Sequence, residues 1–233
     1  MRTLFLDLAS HAGFLACLTT KEVLVSRDID HRIGDHELVP LIKGLLQEAQ
    51  WNYDDVTHIA CVVGPGGFTS LRVAVAYVNA FAWGLKIPVA GVHLSDLYAA
   101  RPSPPSPLPA GRGEKGERAF LWLHSTKKHS ITPSGLRGAG ELFIRGFGIF
   151  AEKWPEAVCV SIEDLVGAPR SRGAPLHGDV HWTGELIPEH ASILTEHGFQ
   201  QMEIAPLIDV LPQLLADQKF STQSLVPWYG RGW

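Results

Sequence analysis

The chain has 233 residues, 45% hydrophobic and 19% charged, and a formal net charge of −4. That composition is globular and long enough for one large or two small domains, and it lacks the basic balance with which a single chain carries nucleic acid. Three cysteines, Cys17, Cys61 and Cys159, lie far apart in apolar runs; they read as small buried hydrophobes of a reducing compartment, not as a disulfide frame or a zinc knuckle.

In MRTLFLDLAS, Asp7 interrupts the first apolar run before it reaches signal length, and no later segment reaches membrane-spanning length without a breaker. The expectation is a cytoplasmic protein with no membrane partner. Thr3 to Ser10, Phe14 to Thr20 and Glu22 to Arg27 read as three strands joined by short turns, hence antiparallel. A polar loop around Asp28–Arg32 leads to a helix beginning near Asp35, with Leu38, Leu41, Ile42, Leu45 and Leu46 at helical spacing. Pro40 is expected in its first turn, which sets the start close to His36.

The most informative stretch is Ile59 to Val92, which reads as strand, glycine turn, helix and strand. Ile59–Val63 is β-branched enough for a buried parallel strand. Gly64-Pro65-Gly66-Gly67 breaks it, and a helix capped by Thr69 or Ser70 runs to about Gly84. This helix has almost no polar face: Leu71, Val75, Val78, Tyr77, Phe81 and Trp83 point all round it. One side is expected to meet the sheet and the other a partner chain; the alternative is a central helix buried within one subunit. The amides of Gly66, Gly67 and Phe68 could also face an anion, though no Walker lysine follows and the GxGxxG spacing is missing.

GPGGFTSLRVAVAYVNAFAWGLKIPVAGV resembles the GPGSFTGxRxGxxxAxGLAxxxxxPxxGV segment of the TsaB (YeaZ) family. The His36–Ile42 stretch and the Pro-Trp-Tyr-Gly-Arg tail resemble further family patterns, H-x-x-x-L-x-P-x-I and P-x-Y-x-R. The resemblance implies a two-lobed α/β fold of the actin and sugar-kinase (ribonuclease H-like) type with a degenerate second lobe. It also implies a non-catalytic subunit in threonylcarbamoylation of adenosine 37 of tRNA, which pairs with a TsaD-type catalytic subunit and recruits a TsaE-type ATPase. On this view the chain homodimerises when alone, meets tRNA only within the complex and holds no cofactor of its own, with ATP or ADP at the partner junction.

Two departures accompany the likeness. The TsaD family carries a His-x-x-x-His metal pair where this chain has His93 followed by Leu97, and one imidazole cannot make that site. Where relatives read D-A-R-x-G-E-V-Y, this chain reads His124-Ser125-Thr126-Lys127-Lys128-His129-Ser130-Ile131, which removes the acidic and arginine residues.

Residues 1–100 form the expected first lobe, used for dimerisation, and 101–118, rich in proline and glycine, a linker or insertion. Residues 119–233 form the second lobe, whose helix 205–218 has the option of packing back on the first and should kink or split at Pro212. Strands are expected at Ala119–His124, Ser130–Thr132, Leu142–Phe150 and Ala157–Ser161. His177, Asp179 and His181 would share a face if their segment were a strand, but Gly178-Asp179 reads as the turn itself.

The expected interface is Leu71, Arg72, Val75, Val78, Asn79, Ala82 and Trp83 on the central helix, with His36, Pro40 and Lys43 on its neighbour. Asp7, Gly66, Gly67 and Thr69 are the candidates for a nucleotide or anion, and no metal ligand set is assigned. The alternative is an ATP-dependent kinase or ATPase of the same superfamily, with Asp7 on a metal; fold alone does not license that chemistry.

Overall fold

A computed structural model describes residues 1–31, 33–101, 119–126, 140–167 and 180–230. The expected 101–118 linker beyond Arg101, the Ser130–Thr132 strand, His177 and Asp179 lie outside the described residues. The chain divides into two compact units, Met1–Arg101 with Ala205–Gly232, and Pro102–Ile204.

In the first unit the opening strands β1 (Arg2–Asp7), β2 (Gly13–Thr19) and β3 (Val23–Ile29) pair antiparallel. Strands β4 (His58–Gly64) and β5 (Val89–His93) add in parallel on the other side of β1, giving the order β3-β2-β1-β4-β5. Between them lie helices α1 (Asp35–Glu48), α2 (Phe68–Leu85) and, after β5, α3 (Leu94–Ala99). β1, β2 and β4 are apolar on both faces, as strands covered from two sides must be. Leu4, Leu6, Leu15, Cys17, Ile59 and Cys61 line one face, where α1 contributes Leu38, Ile42 and Leu45 and α2 contributes Ala74, Val75, Val78 and Ala82. Burial pushes the Cys17 and Cys61 thiols up to about 12, so both behave as small apolar fillers.

Helix ends differ from the sequence-based expectation in instructive ways. Gly67, not Thr69 or Ser70, caps α2, and the helix passes through Gly84 to end at Lys86, which takes the left-handed conformation itself. Pro40 falls in the second turn of α1, because the helix starts at Asp35 behind Gly34; the first turn is stabilised instead by Glu37, whose carboxylate accepts from the Gly34 amide.

The second unit contains β6 (Phe120–Ser125), β7 (Glu141–Phe147), β8 (Val158–Ser161), β9 (Val180–Glu185) and β10 (Phe199–Gln201), with α4 (Ile162–Gly167) and α5 (Pro188–Glu196). β6, β7 and β8 pair antiparallel, while β6, β9 and β10 pair parallel. The order β10-β9-β6-β7-β8 is therefore the first sheet read from its other edge. Both units carry one topology, the α/β plan of the actin-like, ribonuclease H-like class, and the second keeps the whole sheet despite its divergent sequence. The strand expected over Leu142–Phe150 ends at Phe147, where a 3₁₀ turn over Gly148–Glu152 takes over.

The last helix, α6 (Leu207–Ala216), belongs to the first unit, so the second lobe does not extend to residue 233. Leu211 and Leu215 are fully buried, and the helix continues through Pro212 without dividing. Beyond it the chain is laced to the first unit. Val89 and Ser221 exchange amide bonds, the Asn79 side chain pairs with both backbone groups of Leu225, and the Trp228 amide donates to Val63. These contacts, made by residues more than a hundred positions apart, move residues 205–230 out of the second lobe.

Candidate functional site

Helix α2 has two sides although almost all of its residues are apolar. Leu71, Ala74, Val75, Val78 and Ala82 are buried against the sheet of their own unit. Leu71, Val75, Val78 and Ala82, expected at a partner interface, are thereby corrected to core residues, because their side of the helix closes over the apolar face of its own sheet. Asn79 is also reassigned, since its amide holds the C-terminal segment at 3.0 and 2.8 Å.

The opposite side consists of Arg72, Ala76, Ala80 and Trp83, spaced four, four and three apart and hence on one face. All four are exposed, and Trp83 is 85% exposed. The Arg72 guanidinium lies over the Phe68 ring, which in turn packs on Tyr229 at 5.1 Å. Arg72 is the single charged residue of α2, and Lys86 follows at its end, so this surface is cationic at both ends and apolar between. Neighbouring α1 presents His36, Val39, Pro40 and Lys43, all exposed. Small alanines between an arginine and a tryptophan are what a close-approaching helix would need.

The expected nucleotide contacts are arranged differently from a phosphate cradle. Asp7 is 1% exposed, and its carboxylate accepts from the Ala9 and Ser10 amides at 2.9 and 3.0 Å and from the Ser10 hydroxyl. Burial raises its pKa above the ordinary carboxylate value, while those bonds and the Arg101 charge pull the other way. Three donors of its own loop thus share the Asp7 carboxylate. Gly66 meets the Ala9 backbone, where an added Cβ would stand 2.6 Å from the carbonyl oxygen, so the glycine serves close backbone approach. Gly67 caps the helix through its carbonyl, which accepts from Leu71, and Thr69 is exposed to solvent.

At the carboxyl end of β5, His93 caps α3: its Nδ1 accepts from the Ser95 amide, and its ring meets Trp228 edge-on at 4.6 Å. Leu97, four residues on, is buried in the core.

In the second unit, the carboxyl ends of β6 and β9 bring together residues whose grouping was not legible in the sequence. His124 is 4% exposed and lies in register with Glu185, with Nδ1 3.5 Å from the carboxylate. Ser125, on the other face of β6, is bonded to His190 Nδ1 at 2.9 Å and accepts from the Ile187 amide. The strand β9 that supplies Glu185 is one of the elements sequence reasoning missed, with α4, α5 and β10; the apolar Val180 and Trp182, both buried, were its signal.

A family model described as TsaD, tRNA N6-adenosine threonylcarbamoyltransferase, matches residues 32–111. Among curated proteins, the chain is similar to the tRNA threonylcarbamoyladenosine biosynthesis protein TsaB of Buchnera aphidicola (subspecies Acyrthosiphon pisum), 31% identical over 107 residues, 46% of this chain and 45% of that one. The protein of the same name from Bacillus subtilis is 26% identical over 102 residues, 43% of this chain and 44% of that one. The matched segments thus span less than half of these relatives' length. Among solved structures, one described as an uncharacterized protein with similarity to peptidase YEAZ from Pseudomonas aeruginosa aligns with a TM-score of 0.64 at 18% identity over 99% of both chains. YeaZ from Pseudomonas aeruginosa aligns at 0.57 and 20% identity, over 92% of this chain and 89% of that one. The chain is thus similar over part of its sequence to curated TsaB proteins, and it shares its fold with YeaZ from Pseudomonas aeruginosa over nearly its whole length.

Proposed function

We propose that the chain is a non-catalytic subunit of a tRNA threonylcarbamoyladenosine-forming complex, and that it binds and activates a TsaD-type catalytic subunit through the outer face of α2. The observation that carries this reading is the exposed stripe Arg72, Ala76, Ala80 and Trp83 on a helix whose opposite side, Leu71, Ala74, Val75, Val78 and Ala82, is buried in its own unit. The names of the relatives supply the pathway, and the surface supplies the role. Val39 and Pro40 of α1 are exposed apolar residues on the helix that the same reading pairs with α2. The same face serves a homodimer in the absence of the partner, since one apolar stripe suits self and paralogue in turn.

The kinase-like alternative is disfavoured by the state of Asp7, whose carboxylate is engaged by three donors of its own turn, and by a glycine turn closed against Ala9. A TsaD-like metal pair is disfavoured by Leu97 in the core where the second histidine would stand. TsaE recruitment and nucleotide at the partner junction accompany the proposal as its finer parts.

Light scattering on the chain, alone and mixed with the TsaD-type protein of its own organism, tests the reading. A mixed species with the summed mass of both proteins is the expected outcome. Two independent peaks at micromolar concentration would overturn it.

A further inference from the structure

We propose that the outer face of α2 selects a partner surface that is apolar in its middle and acidic at both ends, so that charge favours the catalytic partner over a second copy of this chain. The inference rests on the partner reading above and adds the chemistry of the surface that docks. Arg72 and Lys86 stand at the two ends of the face, separated by about 21 Å of helix rise. Both are exposed, and α2 carries no acidic residue to neutralise either. A surface that meets them with a carboxylate at each end, and with apolar side chains over Ala76 and Ala80 between, is complementary to this face in both charge and polarity.

The end that carries Lys86 is also concave. A groove of about 460 Å³ there is lined by the buried Ala82 and Val89 and by the exposed Trp83 and Lys86, with Thr222 and Gln223 of the C-terminal segment. Among the described residues no carboxylate lines it, and Lys86 is its one charge. An apolar floor beside a single ammonium suits an apolar side chain with a carboxylate next to it. The groove is preformed, because the segment that walls it is held on either side: Ser221 exchanges amide bonds with Val89, and Leu225 is bonded to Asn79. It is also open at Gly84, where an added Cβ would meet nothing within 4 Å. A second copy of the same face offers only cations in return. About a two-fold axis, Arg72 faces either its own counterpart or the other copy's Lys86, and like charges oppose the pairing.

Calorimetric titration of the full chain with the TsaD-type partner at two NaCl concentrations tests the inference, since the screening length falls from about 10 Å at 0.1 M salt to about 3 Å at 1 M. Kd is expected to rise at least about fivefold across that range. The double variant Arg72→Gln, Lys86→Asn should bind at least about fivefold more weakly at low salt and lose the salt dependence. Gly84→Glu, whose side chain has room, should weaken binding in the same direction. Lys21→Asn, a charge change in the β2–β3 turn toward the other edge of the sheet, should bind as the parent does. The mass of the chain alone, read by sedimentation, should not fall as salt rises. Tight binding indifferent to salt and to these variants would overturn the inference and leave the subunit reading standing, as would equal weakening by Lys21→Asn or a salt-dependent fall in the mass of the chain alone. No complex at either salt concentration would overturn both.

Discussion

Val78→Glu is expected to unfold the first lobe, not to disable a surface. Val78 is fully buried between α2 and the sheet. Burying its side chain contributes about 1.5–3 kcal/mol, and an unpaired charge in its place costs about 3–5 kcal/mol. Against a stability of about 5–15 kcal/mol, the sum removes most of the margin. Urea titration followed by circular dichroism should show the first-lobe transition moved to much lower denaturant or lost. Val75→Glu, 3% exposed on the same face, should behave alike. A variant that melts within about 1 kcal/mol of the parent would mean that this face of α2 is not packed on its own sheet.

The second large effect belongs to the opposite face. Trp83→Glu is expected to leave the melting curve within about 0.5 kcal/mol, because an 85% exposed side chain has little packing to lose. Binding to the TsaD-type partner should weaken at least ~30-fold, which corresponds to about 2 kcal/mol, the range in which a central aromatic anchor falls. Ala80→Glu should act in the same direction by a different route, since a longer charged side chain prevents the close approach that alanine permits. Calorimetric titration reads both. Unchanged affinity in the two variants would move the interface off α2.

These paired outcomes reverse what the sequence suggests for Val78, and the reason is physical. An all-apolar helix has no polar face to announce which side meets solvent, so its exposed side has to be read from its one charge. Arg72 marks that side, and Ala76 and Ala80 follow it at successive turns. The opening strands, the parallel β4 and the glycine turn were legible because β-branched runs and glycine carry local signals. The C-terminal segment was not, because its anchors, Asn79 to Leu225 and Val89 to Ser221, join residues far apart in the chain. His124 and Glu185 were hidden for the same reason, since only the parallel pairing of β6 with β9 sets them side by side. Asp7 was correctly placed at the end of β1, but its carboxylate accepts from Ala9 and Ser10 of its own loop, which spacing alone does not reveal.

The most direct measurement is formation of threonylcarbamoyladenosine on tRNA in a mixture of purified components, with this chain supplied as parent, Asp7→Asn or Trp83→Glu. A non-catalytic partner predicts modification that requires the chain, survives Asp7→Asn and is lost with Trp83→Glu. Activity abolished by Asp7→Asn in a folded protein, and untouched by Trp83→Glu, would contradict it and make the chain itself the seat of chemistry.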